Sequence, residues 1–154
     1  MTTYYADTSA LVKRYVDEEG SAWLRATLDA QPSPSIVVVP LLLVEVTSAL
    51  TRRVREGVLI PTEYTQIQHA FRRDCLNEYE IVVAVGAVID QANRLLEARP
   101  LRAYDAVHLA AAVVTNKELL DNELAPLTFL CADDRMNNAA SAMGLAVDNP
   151  NHHP

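Results

Sequence analysis

The chain is short of cysteine, of basic residues and of long apolar stretches, and each shortage excludes something. Its two cysteines, Cys75 and Cys131, form no CxxC pair and no Cys/His cluster. That excludes a disulfide framework and a structural zinc site, and fits a reducing cytosol. The longest apolar run, Ile36 to Val44, is broken by Pro40 and is too short to span a bilayer. The opening MTTYYADTSA has neither the basic start nor the apolar stretch of a signal peptide, so a cytoplasmic protein with no membrane association is expected. Thirteen Lys and Arg against twenty Asp and Glu leave a net charge of −7, which disfavours nonspecific binding to DNA or RNA, because phosphate contacts need local cations. The arginines are clustered, however: Arg52, Arg53 and Arg55; Arg72 and Arg73; then Arg94, Arg99 and Arg102. A nucleic-acid substrate therefore stays open.

Hydrophobic residues make up 50% and charged residues 21% of the chain, so disorder is not the default. A length of 154 residues suits one domain with a substantial core. That domain is expected over 1–148, with 149–154 (NPNHHP) as a disordered tail whose His152 and His153 are solvated.

Short β-rich runs alternate with helical patterns, with no repeat and no linker. Strands are expected at Thr2 to Ala6, Ser35 to Val39, Glu80 to Val85, Leu127 to Cys131 and Leu145 to Val147. Helices are expected at Ser9 to Glu18, Ser21 to Ala30, Pro40 to Arg55, Pro61 to Glu78, Val85 to Ala98, Leu101 to Thr115 and Arg135 to Met143. Pro40 and Pro61 suit first helical turns, while Gly20 and Gly57 suit C-terminal stops. The alternation implies βαβ units and a parallel sheet covered on both faces, with ligands bound at the carboxyl ends of the strands.

Four acidic residues stand where a folded protein does not normally keep them. Asp7 and Asp133 directly follow predicted strands; Glu45 and Asp105 lie on apolar faces of predicted helices. For Asp7 the plain alternative is a helix N-cap. For the pair Asp133 and Asp134, the cleft is assigned to Asp133 and the cap to Asp134. Glu45 shares its face with Leu41, Leu42, Ser48 and Ala49, and Asp105 with Leu101, His108, Leu109 and Ala112. For these two the plain alternative is a buried acid bonded to backbone amides or held protonated. Basic residues adjacent in sequence are few: Lys13 near Asp7, Arg102 near Asp105, Arg135 near Asp133, and none beside Glu45. Two unit charges ~5 Å apart repel by about 3 kcal/mol at an effective dielectric of 20, so four acids in one pocket call for a cation. Oxygen-only ligands suit Mg²⁺ or Mn²⁺, and phosphate chemistry is the commonest use of such a site. Thr8 and Ser9 either support a carboxylate or cap a helix; His108 reads as core or as support for the acids. Tyr104 and Trp23 read as packing, and Leu41 to Val44 and Ala110 to Val114 as core.

The strings YADTSALVKRY, VEVTSAL, YDAVHLAAA and FLCADDRMNNAASAMGL, in that order along the chain, resemble a PIN domain, and more narrowly a bacterial VapC-type toxin. The resemblance implies a three-layer α/β/α sandwich around a central parallel sheet. It implies a Mg²⁺- or Mn²⁺-dependent endoribonuclease whose acids are Asp7, Glu45, Asp105 and Asp133, with Ser9 supporting the first. It also implies an RNA substrate, a homodimer and a cognate antitoxin protein that inserts a peptide near the site. One departure is Cys131, where the family usually has Thr or Ser two positions before the last Asp. Two rival readings remain: a phosphotransfer or phosphatase domain with Asp7 as aspartyl nucleophile, and a non-catalytic RNA-binding regulatory module.

Overall fold

A computed structural model describes residues 1–153. Five parallel strands form one sheet: β1 (Thr3–Ala6), β2 (Ser35–Val38), β3 (Tyr79–Ile81), β4 (Thr128–Leu130) and β5 (Ala146–Asp148). Their spatial order is β3-β2-β1-β4-β5, with Tyr5 paired to Val37 on one side and to Phe129 on the other. The helices are α1 (Thr8–Tyr15), α2 (Ser21–Leu28), α3 (Leu41–Arg55), α4 (Pro61–Asn77), α5 (Ala87–Ala98), α6 (Ala103–Asp121) and α7 (Asp134–Ala142).

Alternation along the strands divides the core in two. Tyr5, Val37 and Phe129 point to one face and bury Val88, Ala92 and Leu95 of α5, the alanine-rich face of α6, and Met136 of α7. Ala6, Ile36, Val38 and Leu130 point to the other and bury Leu11 of α1, Leu24 of α2, Leu42, Val46 and Leu50 of α3, and Phe71 of α4. The result is the expected α/β/α sandwich. Small residues at Ala106 and Ala110 to Ala112, all fully buried, let α6 approach the sheet closely.

Three expectations need correction. The third strand is shorter than Glu80 to Val85, because β3 is an edge strand with β2 as its only neighbour; one further bond, Val82 N–H to the Val38 carbonyl at 2.8 Å, ends the pairing. Helix α6 runs past Thr115 to Asp121, since Leu119 still packs on the core and Lys117 pairs with Asp121 one turn on. The segment 149–153 is not a loose tail. Pro150–His152 form a 3₁₀ turn, Pro150 and Asn149 are buried, and His153 stacks on Trp23 with ring centroids 4.0 Å apart.

Because β2 lies on one side of β1 and β4 on the other, the chain leaves the two central strands in opposite directions. A crevice opens at their carboxyl ends, the position where open α/β sheets bind ligands. The Asp7 N–H donates to the Leu130 carbonyl at 3.0 Å, tying the two strand ends together at its floor.

Candidate active site

Asp7, Glu45, Asp105 and Asp133 all line one cleft of about 670 Å³ at that crevice. Asp7 follows β1 directly and caps α1, with its Oδ2 accepting from the Ser9 N–H at 3.1 Å and the Ser9 hydroxyl at 2.7 Å. Asp105 lies in the first turn of α6, and Asp133 caps α7 by accepting from the Arg135 N–H at 2.8 Å. Three of the four acids thus sit at helix N-termini, whose partial positive charge favours carboxylates. Glu45 reaches in from the second turn of α3, where Thr8 donates to its Oε1 at 3.1 Å.

The division of labour expected for Asp133 and Asp134 does not hold. Asp133 both caps the helix and faces the cleft, whereas Asp134 accepts from the Asn149 side chain at 2.7 Å. A carboxylate has two oxygens, so capping with Oδ1 leaves Oδ2 to face the cleft, where the Arg135 guanidinium meets it.

His108 is buried between two of the acids. Its Nε2 is 2.5 Å from Glu45 Oε1, and its Nδ1 is 3.0 Å from the Tyr5 hydroxyl and 3.7 Å from Asp7 Oδ1. Burial pushes its pKa down, but the Glu45 hydrogen bond and the charges of Asp7, Glu45 and Asp105 outweigh this and leave it above the ordinary histidine value. Glu45 therefore has a basic partner after all, one turn beyond Asp105 in sequence. Asp105 is pushed above the usual carboxylate range by burial and by Asp7, against the pull of Arg135 and Arg102. Arg135 Nη2 lies 3.3 Å from Asp105 and 3.5 Å from Asp133, bridging the remaining two acids.

Both shifts have the same consequence for stability. A histidine raised in the fold stabilises fully below its unfolded pKa of about 6.5, and that contribution fades as pH rises through the folded value. A raised carboxyl likewise favours the fold only while protonated. In chelator-containing buffer, the midpoint of thermal unfolding should fall as pH rises above neutrality, and His108→Gln should flatten that slope. Parallel slopes for the two proteins would refute the role given to His108.

Cys131 stands where a hydroxyl was expected. Its fully buried Sγ is 3.4 Å from Asp7 Oδ2 and from Ser9 Oγ, and accepts from the Asp133 N–H at 3.4 Å. It spans the two strand-end acids as a hydroxyl would, with weaker bonds. Burial and the nearby Asp7 push its pKa up, so it remains a thiol.

Other expectations shift at the cleft wall. Val44 is exposed and lines the cleft, and Leu43 is also exposed, so neither belongs to the core. Tyr104 is not a packing residue: it is 60% exposed and lines the same cleft. Arg52, Arg53 and Arg102 line it as well, while Arg55 does not. Arg53 is committed to Glu18, its Nε at 2.8 Å.

The donor set is carboxylate oxygen, chemically suited to a hard dication. Among the described residues, though, no three His, Cys, Asp or Glu side chains stand grouped as a finished metal site. His108 and Arg135 occupy the positions between the acids, so the acids converge on one cleft without forming a ready coordination shell. Among the described residues, no helix is long and apolar enough to cross a membrane.

Comparison with known proteins agrees with this architecture. The PIN-domain pattern matches residues 4–130. None of the curated proteins matches the sequence. Among solved structures, VapBC2 from Rickettsia felis, bound to a DNA fragment from their promoter, is similar with a TM-score of 0.64 at 14% identity, covering 96% of this chain and 98% of that one. FitAcB from Neisseria gonorrhoeae gives 0.62 at 15% identity, covering 98% and 99%. PAE2754 from Pyrobaculum aerophilum gives 0.61 at 17%, covering 96% and 83%. At such identities the likeness is one of fold, and the pattern match over most of the length is what decides: the chain belongs to the PIN-domain family of nucleases.

Proposed function

We propose that this protein is a Mg²⁺- or Mn²⁺-dependent endoribonuclease, the toxin of a toxin–antitoxin pair, with Asp7, Glu45, Asp105 and Asp133 as its catalytic acids. The observation that carries the reading is the convergence of those four side chains, from four separate elements, on one cleft of a PIN fold. A bound dication would polarise the phosphate and make a water more acidic. Asp7, held by Ser9 and Cys131, and Asp105 at the start of α6 are the best placed to grip it. Glu45, oriented by Thr8 and His108, and Asp133 complete the set. Arg52 and Arg102, which line the cleft and face solvent, hold the RNA backbone. The products would carry 5′-phosphate and 3′-hydroxyl ends. A cognate antitoxin belongs to the same reading, since the similar structures VapBC2 and FitAcB are antitoxin complexes; a homodimer belongs to it through the family resemblance alone.

The test is to incubate a mixed RNA pool with the purified protein in Mg²⁺, in Mn²⁺ and in EDTA, then map the cut ends. Cuts that depend on metal and leave 5′-phosphates are expected. Equal cutting in EDTA would refute metal dependence, and an intact pool in all three would refute the nuclease.

Arg135 supplies a second check that does not depend on cleavage. Its guanidinium, half exposed, lies against Asp105 and Asp133 and would compete with a dication for them. Exposed ion pairs are weak, so Arg135→Met should tighten Mn²⁺ binding by only about 2- to 10-fold. Calorimetry reads this directly, and unchanged or weaker binding would remove Arg135 as a competitor.

A further inference from the structure

Nine aromatic residues are distributed through the chain, and eight of them are buried or half-buried. The exception, Tyr104, is 60% exposed. It makes no side-chain hydrogen bond and stacks on no other ring among the described residues, and it stands in the wall of the acidic cleft, one residue before Asp105. A tyrosine ring left in water forgoes most of what burying it would contribute to folding, so packing does not account for its place.

Its surroundings identify a ligand. Arg102, two residues away, lines the cleft with no carboxylate within salt-bridge distance among the described residues, although its charge is felt at Asp105. Arg52, which lines the same cleft from α3, has among the described residues only a long contact of 4.0 Å to Glu56. An uncommitted aromatic face, flanked by uncommitted guanidinium groups in a groove, is the pattern that binds single-stranded nucleic acid: the cations follow the phosphates and the ring stacks a base. Bases in a duplex are already stacked on their neighbours and offer no free face. Val44, exposed on α3 and lining the same cleft, gives the pocket an apolar contact.

We propose that Tyr104 is the stacking platform for an unpaired base next to the scissile phosphate. This rests on the nuclease reading above and adds a residue that positions its substrate. Tyr104 and Asp105 both line the cleft from the first turn of α6, so a base held on the ring would bring the adjoining phosphate toward the acids. Tyr104 is a positioning residue: it acts on the base, and the acids act on the phosphate.

The test compares wild type with Tyr104→Ala and Tyr104→Phe on a short single-stranded RNA carrying 2-aminopurine, and on the same RNA annealed to its complement. Base–aromatic stacking is worth about 1–3 kcal/mol, so Tyr104→Ala should raise KM for the single strand about 5- to 150-fold. Tyr104→Phe, which keeps the ring, should stay near wild type. Quenching of 2-aminopurine fluorescence on binding should be lost in Tyr104→Ala alone, while Mn²⁺ affinity stays the same in all three proteins. Duplex should be cut poorly by every one of them. A Tyr104→Ala protein with wild-type KM and quenching would overturn the stacking role and leave the nuclease standing. A wild type that cuts no RNA overturns the nuclease reading, and this inference with it.

Discussion

Asp7→Asn should abolish cleavage without unfolding the protein. Loss of a group that merely orients a metal ligand typically costs about 10- to 100-fold in affinity or activity, so loss of a ligand carboxylate should exceed about 100-fold in both Mn²⁺ affinity and RNA cleavage. Asparagine is as good a helix cap as aspartate, so the Ser9 N–H keeps its acceptor and the start of α1 is preserved. Asp7 also raises the pKa of Asp105 and of the Tyr5 hydroxyl, so removing its charge relieves repulsion in the metal-free cleft. Where the pH leaves His108 neutral, so that no attraction to Asp7 is lost, the expected result in EDTA is therefore an unfolding midpoint at or above that of wild type, alongside an inactive enzyme in Mg²⁺. Retained cleavage, in a preparation free of contaminating nuclease, would remove Asp7 from the site.

The same variant would also inactivate an aspartyl-phosphate enzyme, so the rival needs its own argument. Such a site wants a lysine at a strand end to meet the phosphoryl group. The two lysines of this chain are elsewhere: Lys13 pairs with Glu18 and Lys117 with Asp121. Asp7 Oδ2 is already engaged by Ser9 and Cys131, and Oδ1 faces His108. Such contacts to both oxygens weaken a carboxylate as a nucleophile, while its remaining lone pairs can still be given to a dication.

The site was legible in the sequence wherever an acid broke a local rule. Asp7 and Asp133 stand at strand ends and Glu45 and Asp105 on largely apolar helix faces, so burial cost alone singled them out. What stayed hidden were the partners. His108 looked like a core residue from its apolar neighbours, and it is one, but sequence spacing could not show α3 delivering Glu45 to its Nε2 across 63 positions. Tyr104 was misread because an aromatic between Ala103 and Asp105 looks like packing until the helix axis is placed. The fold was legible because short apolar runs alternate with helical patterns, the clearest being β2, uncharged and β-branched between Pro34 and Pro40. Its edge was not, since the length of β3 depends on a neighbour it lacks.

The closing segment was misread for a related reason, and it leads to the largest expected stability effect. NPNHHP has the composition of a loose end, yet Gly20, at φ +79°, admits it: a Cβ there would lie 2.1 Å from the Pro150 carbonyl oxygen. Gly20→Ala incurs the left-handed penalty of about 1–2 kcal/mol and an overlap of about 1–3 kcal/mol more. For a domain of this size, the sum corresponds to a fall in unfolding midpoint of about 5–15 °C. The two parts separate in a cycle. With residues 149–154 deleted the overlap disappears, so the cost of Gly20→Ala should shrink to the backbone part. An undiminished cost in the deleted chain would show that the segment does not rest on Gly20. The effect reaches the site as well: Asn149 donates to Asp134 at 2.7 Å and Asn151 to the Ala132 carbonyl at 3.5 Å. These bonds brace the corner that carries Asp133, so displacing the segment should weaken Mn²⁺ binding even at temperatures where the domain stays folded.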